Sequence, residues 1–287
     1  MVDEDSSAKP AVRPRGVSVR NRLLFFLVAW LIVLMPVLFW WGTWFGRPLS
    51  DKQISEYLRD EKHPRHIQHA LVQIGERMSK RDRSASRWYA DLVRLASHPV
   101  EEVRNTDAWV MGQDPSAAGL HEALLQMLED PSAMVEGNAA LSLVRFGDAS
   151  GRPQIVALLQ PAVIVAPVAG RVIDADKLGT AVHQGGLIVK IAGGQQTTEV
   201  RSPITGRISA LRATVGAHVD AGNELATVEP GADQVWEALR ALYLLGQAED
   251  LPTIRLYERE SPEISDRVRQ QAILTEKAIR QRAEAVP

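Results

Sequence analysis

The sequence contains no cysteine. That removes disulfides, thiolate nucleophiles, iron–sulfur clusters and cysteine-based zinc sites. It leaves the redox compartment open, because a chain without thiols tolerates either. Neither sign of charge dominates: 33 Lys+Arg stand against 35 Asp+Glu, a formal net charge of −2. A broad electrostatic grip on nucleic acid needs a basic face, so nucleic acid is not an expected partner. No Gly-x-Ser-x-Gly elbow, phosphate-binding loop or dinucleotide fingerprint occurs in a suitable context. No catalytic residue is therefore assigned, and no enzyme activity is expected.

Only one long apolar run is present. Leu23 to Gly46 carries no charged side chain, and a helix of roughly 20 apolar residues crosses the ~30 Å hydrocarbon layer of a bilayer. Pro36 is a kink that a bilayer tolerates. Trp40, Trp41 and Trp44 crowd one end, where amphipathic rings prefer the interface. The run exceeds the usual signal-peptide core and no small-x-small cleavage site follows it, so residues 22–46 are expected to be a retained signal anchor. Lys9, Arg13, Arg15, Arg20 and Arg22 precede it more tightly than Arg47, Lys52, Arg59 and Lys62 follow it. That bias puts the N-terminus in the cytoplasm and the bulk of the chain outside it. Residues 1–21 are polar and Pro/Ser-containing, and read as a disordered tail.

Residues 50–160 show helical spacing of apolar residues. Ser50-Asp51-Lys52-Gln53 is a capping-box pattern ahead of Ile54, Tyr57 and Leu58. Pro64 opens a helix carrying Ile67, Ala70, Leu71 and Ile74. Trp88, Leu92, Val93 and Leu95 form the next stripe, and Pro99 and Pro131 each open another helix. Pro64, Pro99 and Pro131 recur at near-equal intervals, within the roughly 30–35 residues of a two-helix solenoid repeat. The segments from Val103 (VRNTDAWVMGQD) and Val135 (VEGNAALSLVRFGD) align. Residues 234–284 resume the pattern: Val235, Leu239, Leu242 and Leu245, then Leu251-Pro252 with Ile254 and Leu256, then Pro262 opening a helix with Val268, Ala272, Ile273 and Ile279. Pro153–Leu159 supplies a first helix without a following partner, and Val235–Leu245 is its missing second. The segment between them then replaces the turn inside one repeat. Such a loop extension costs only about 0.6 kcal/mol per doubling if its ends lie close.

Residues 162–230 are instead Val-, Ile- and Gly-rich, and they are duplicated. PVAGRVIDADKLGTAVHQGGLIVKI begins at Pro167 and PITGRISALRATVGAHVDAGNELATV at Pro203. Gly170 matches Gly206, Arg171 matches Arg207, Gly179 matches Gly216, Gly185 matches Gly222, and Ile191 matches Val228. Glycines at these spacings turn the chain between short strands, whose apolar positions share one small core. Two such halves predict a flattened barrel with pseudo-twofold symmetry.

The helical segments resemble the HEAT-repeat family, with Glu136 standing where that family commonly has Arg. Residues 162–230 resemble the biotinyl/lipoyl-carrier family and the related barrel-sandwich hybrid of membrane fusion proteins, the HlyD-type periplasmic adaptors. Together the resemblances imply an α+β chain: an N-terminal transmembrane helix, then a HEAT-like α-solenoid interrupted by a small all-β barrel-sandwich hybrid. Carriers present a modified Lys at the hairpin joining their halves. Aligned on Ile191 and Val200, that position holds Gln195, whose carboxamide is no nucleophile, and Lys190 falls on the preceding strand. No biotin, lipoate or other cofactor is therefore expected. Gly193, Gly194, Gln195 and Gln196 remain as a hairpin-tip contact. The long helical hairpin that adaptors place between their halves is absent.

His63, His66 and His69 form HPRHIQH, and imidazoles three apart on a helix can share a metal; but His63 precedes Pro64 and falls outside the helix, no carboxylate or cysteine completes a set, and no metal site is assigned. Arg171 and Arg207 suit either symmetric anion binding or solubilised strand edges. Arg77, Lys80, Arg81, Arg83 and Arg87 suit a solvated loop or an anionic membrane surface. The combined expectation is a single-pass protein of the bacterial inner membrane with a periplasmic bulk. It would be a non-enzymatic scaffold or adaptor binding a partner protein in an envelope transport or secretion complex, with homo-oligomerisation allowed. The alternative is a degenerate carrier-like module that organises or regulates a membrane enzyme complex.

Overall fold

A computed structural model describes Trp30, residues 48–194 and residues 196–285. The tail and the anchor expected over residues 1–21 and 22–46 lie outside these residues, apart from Trp30. Among the described residues no helix is long and apolar enough to cross a membrane. Residues 49 onward form one compact unit, to which everything below refers.

That unit is α+β, with helices on both sides of two four-stranded antiparallel sheets. Helix α1 (Asp51–Tyr57) starts from the Ser50–Gln53 capping box, in which each side chain accepts the other residue's backbone N–H. Helix α2 (Pro64–Ser79) opens on Pro64, whose missing N–H costs nothing in a first turn. A 3-10 turn (Arg83–Trp88) leads into α3 (Tyr89–Leu95). Then come α4 (Glu101–Met111), α5 (Ala118–Met127), α6 (Ala133–Leu143) and α7 (Arg152–Ala157). Helices α2, α4 and α6 lie side by side as one layer, and α3 lies beside α5 in a second. Leu71, Ile74, Leu92, Val110, Leu124 and Leu143 are among the side chains buried between them.

Strands β1 (Ala162–Val165), β2 (Gly170–Ala175), β3 (Ala181–Val182) and β4 (Leu187–Gly193) precede the hairpin tip. Strands β5 (Gln196–Arg201), β6 (Gly206–Leu211), β7 (His218–Val219) and β8 (Glu224–Pro230) follow it. The sheet orders are β1-β8-β6-β3 and β5-β4-β2-β7. Replacing each strand by the one four places along converts one sheet into the other, which is the pseudo-twofold relation that the duplicated sequence predicts. Entry and exit strands are neighbours, with Ala162 opposite Val228. The ends of the insert therefore lie close, and interrupting the helices here is inexpensive.

Helix α8 (Ala232–Leu245) packs on α7, and the Gln234 amide donates to the Leu158 carbonyl at 3.1 Å. The pair split by the insert is thus closed in space. A short α9 (Leu251–Ile254) and a long α10 (Asp266–Ala285) follow, with α10 against α8. Ile155, Leu159, Leu239 and Ala272 belong to the same buried cluster as Val172, Ile191, Ile208 and Val228, so the sheets share their core with the helices around them.

Several expected details shift. Helix α4 begins at Glu101, two residues past Pro99, and α6 begins at Ala133 after Ser132, whose hydroxyl accepts the Val135 N–H. Helix α10 begins at Asp266 rather than at Pro262, after Ser265, whose hydroxyl accepts the Val268 N–H. Val93, Leu256 and Ile273, expected within apolar stripes, are exposed. Ile273 follows buried Ala272, which turns it about 100° off the packed face.

Candidate functional site

The hairpin tip is formed by the ladder between β4 and β5, in which Gly193 opposes Gln196. Gly194 follows β4 at the tip. Gly194 has φ +62°, the left-handed backbone that glycine adopts without strain. A side chain built at Gly194 would meet nothing within 4 Å, so the tip faces solvent. Gln195 itself lies outside the described residues. Lys190 is on β4 opposite Glu199, and its Nζ pairs with that carboxylate at 3.4 Å.

Behind the tip the two halves are laced reciprocally. Gly179 N donates to Ile208 O and the matched Gly216 N to Val172 O, each at 2.8 Å. Gly185 N donates to Ser202 O and the matched Gly222 N to Ala166 O, again at 2.8 Å. The two arginines continue the exchange: Arg171 Nε donates to Gly216 O at 3.0 Å, and Arg207 donates to Gly179 O. Each of these exposed arginines ties its own half to the other's turn. Within each half, Gly170 and Gly206 mark the tightest approach of one strand to its neighbour, β2 to β4 and β6 to β8. A Cβ at Gly170 would lie 2.4 Å from Ala192 O, and one at Gly206 only 1.9 Å from Glu229 O.

The helical layer offers a second surface. Gln68 Nε2 donates to Thr106 Oγ1 at 3.4 Å, Asn138 donates to Asn105, and Arg145 Nη1 donates to Gln113 Oε1 at 2.8 Å. These bridges run between successive helices of the layer α2, α4 and α6. Among them Trp109 is 43% exposed, an aromatic anchor of the kind that interfaces favour. The aligned-repeat pattern pointed to a binding layer but did not single out this residue.

An open groove of about 1200 Å³ runs between the end of α2, the 3-10 turn, α3 and the α4–α5 loop. Arg81, Arg83, Tyr89, Val93, Asp114 and Ser116 line it. The Tyr89 hydroxyl donates to Asp114 Oδ2. Burial pushes the Asp114 carboxyl up, but hydrogen bonds from Ser116 and Tyr89 outweigh it and hold the group below its ordinary value. Burial, reinforced by Asp114, raises the Tyr89 phenol. The basic stretch here is divided in use. Arg77 and Arg87 both reach Asp51, at 2.6 and 2.5 Å, and lie over the Trp88 ring. Lys80, Arg81 and Arg83 remain exposed.

Two groups of chemically active side chains stand apart from these surfaces. Asp107 in α4 is fully buried, and neither carboxylate oxygen has a hydrogen-bond partner. Burial pushes its pKa well above the usual carboxylate range, opposed only by the charge of Arg94. The histidine cluster differs from its expected membership. His69 is buried, with Nε2 2.9 Å from Gln73 Nε2, and burial lowers its pKa. His63 and His66 instead converge on Asp60, a carboxylate three residues upstream of the motif. The expectation that no carboxylate completes the set fails because the turn before Pro64 folds Asp60 back onto both rings. His183 and His218 do not join this cluster.

No protein-family model and no curated protein matches the sequence.

Proposed function

We propose that the chain is a membrane-anchored, non-enzymatic scaffold that docks a partner protein within a bacterial envelope transport or secretion complex. On this reading the helical pairs act as HEAT-like repeats. Residues 162–230 act as a biotinyl/lipoyl-like barrel-sandwich hybrid of the kind carried by membrane fusion proteins. The anchor over residues 22–46 holds the unit at the membrane.

The observation that supports this best is the reciprocal lacing of the two halves of the insert, combined with its core shared with α7 and α8. A laced insert that shares its core with α7 and α8 is held against those helices, and a preorganised surface suits contact with a partner. Gln195 leaves the hairpin tip without the amine that group transfer requires.

The test places a photo-crosslinking amino acid at Trp109 or Gln196 of the anchored chain in native membranes. The reading expects one envelope protein in adducts from both positions, and an intact mass with no attached prosthetic group. Absence of adducts at both positions, or a mass increase matching biotin or lipoate, overturns it.

A further inference from the structure

We infer that Asp60, His63 and His66 form a binding site for a borderline divalent transition-metal ion, with zinc as the reference ion. The spacing is the first argument. The three residues are three apart in sequence, His63 N donates to Asp60 O at 3.0 Å, and His66 N donates to His63 O at 2.8 Å. The two successive bonds fold the chain tightly enough to bring the three side chains together, although His63 itself is off the helical conformation at φ −128° and ψ 79°. The three ligand atoms accordingly all lie within 4.8 Å of one another.

The geometry inside the cluster is the second argument. His63 Nδ1 is 2.9 Å from both Asp60 oxygens, and His66 Nδ1 is 2.6 Å from Oδ2. Both rings therefore point the same nitrogen at one carboxylate. Bonds of about 2.0–2.1 Å to a tetrahedral ion set ligand atoms roughly 3.3 Å apart. The two Asp60–imidazole distances reach that spacing by opening about half an ångström, with each ring coordinating through Nδ1 and carrying its hydrogen on Nε2. His63 is exposed at the start of α2 and provides the movement, its side chain being 61% accessible. His66 is held in place by stacking on Tyr57, with ring centroids 4.5 Å apart and planes 16° from parallel. The same exposed side leaves the fourth coordination position to water.

The donor set decides the ion. Two imidazoles and one carboxylate suit zinc, cobalt, nickel or copper, whereas magnesium and calcium favour all-oxygen shells. Neighbouring Glu61 does not compete, because it is paired with Arg94 at 3.2 Å and with His98 at 2.9 Å. A metal here would clamp the end of α1 to the start of α2. This inference is independent of the scaffold reading.

The experiment is equilibrium dialysis of the full chain in detergent against zinc ions, with Asp60→Asn, His63→Gln and His121→Gln compared with the parent. His121 pairs with Asp148 elsewhere and serves as the control. Parent and His121→Gln should bind one more zinc per chain than Asp60→Asn or His63→Gln, or bind it at least about tenfold more tightly. Zinc should raise the melting temperature of the parent and not that of His63→Gln, and magnesium should do neither. Because His63 is exposed, its replacement leaves folding intact if Asp60→Asn does not. Equal zinc binding by the parent and His63→Gln overturns the proposal, as does the absence of zinc binding by the parent.

Discussion

In the helical layer, neighbours meet through side chains. Arg104 Nε donates to Asp130 Oδ2 at 2.7 Å and its Nη2 to Oδ1 at 2.9 Å, so one helix grips the turn before α6. In the sheet insert, the halves meet through backbone groups exchanged in matched pairs, such as Gly179 with Ile208 and Gly216 with Val172. The first arrangement is local, each bridge joining one repeat to the next. The second is non-local and self-complementary, and it depends on glycines where backbone presses on backbone. The comparison teaches where each region is fragile: side-chain ion pairs in one, the absence of a Cβ in the other.

The sharpest way to break this contrast is Gly206→Ala. The added Cβ would sit 1.9 Å from Glu229 O, which is rigid backbone. A loss of at least about 3 kcal/mol is expected in urea unfolding, with Gly170→Ala close behind. A loss below about 1 kcal/mol would show that β6 and β8 are not pressed together at this point. Next is Arg104→Met, which leaves the buried Asp130 carboxylate unpaired and should cost about 3 kcal/mol in the same measurement.

Asp107→Ala tests the layer in the opposite direction. It removes a buried carboxylate without partners and should stabilise the chain by about 1–3 kcal/mol at pH 7. The sign with pH follows from a folded-state pKa raised above the unfolded value near 3.8. Stability from protonated Asp107 is fully present below the unfolded value and is lost as pH rises through the folded one. The advantage of the variant should therefore shrink as pH falls toward 3.8. Glu258, pushed up to about 7 by burial and by its hydrogen bond with Glu276, contributes a slope of the same sign in both chains. The difference between the two melting curves is thus the readout, and a difference that does not change with pH contradicts the assignment. The smallest effects belong to Arg171→Met and Arg207→Met. Each loses an exposed hydrogen bond across the halves and should cost under about 1 kcal/mol by thermal melting, equally at the two positions.

Much of this arrangement was legible in the residues. The duplicated Gly and apolar positions are local in sequence and fix turns and strand faces, so the matched pairs and the pseudo-twofold relation follow from the pattern, while the strand order does not. The capping box at Ser50 and the opening proline at Pro64 act within one turn, and both appear where the motif puts them. What stayed hidden depends on distance in the chain or on exact phase around a helix. Asp60 joins His63 and His66 only because of the conformation before Pro64. Asp107 sits one residue before Ala108 in a polar-looking stretch, and nothing in VRNTDAWV marks it as buried without a partner. The mutual use of Arg171 and Arg207 required knowing that matched turns face opposite halves.

Native-state hydrogen exchange tests the central claim, that insert and flanking helices form one laced body, most directly. The amides of Gly179 and Gly216, and those of Gly185 and Gly222, should open with the same free energy within each pair. They should also open together with the amides of α8 around Leu239 and Leu242. Early, independent exchange of one half, or of the whole insert while α8 stays protected, would contradict it.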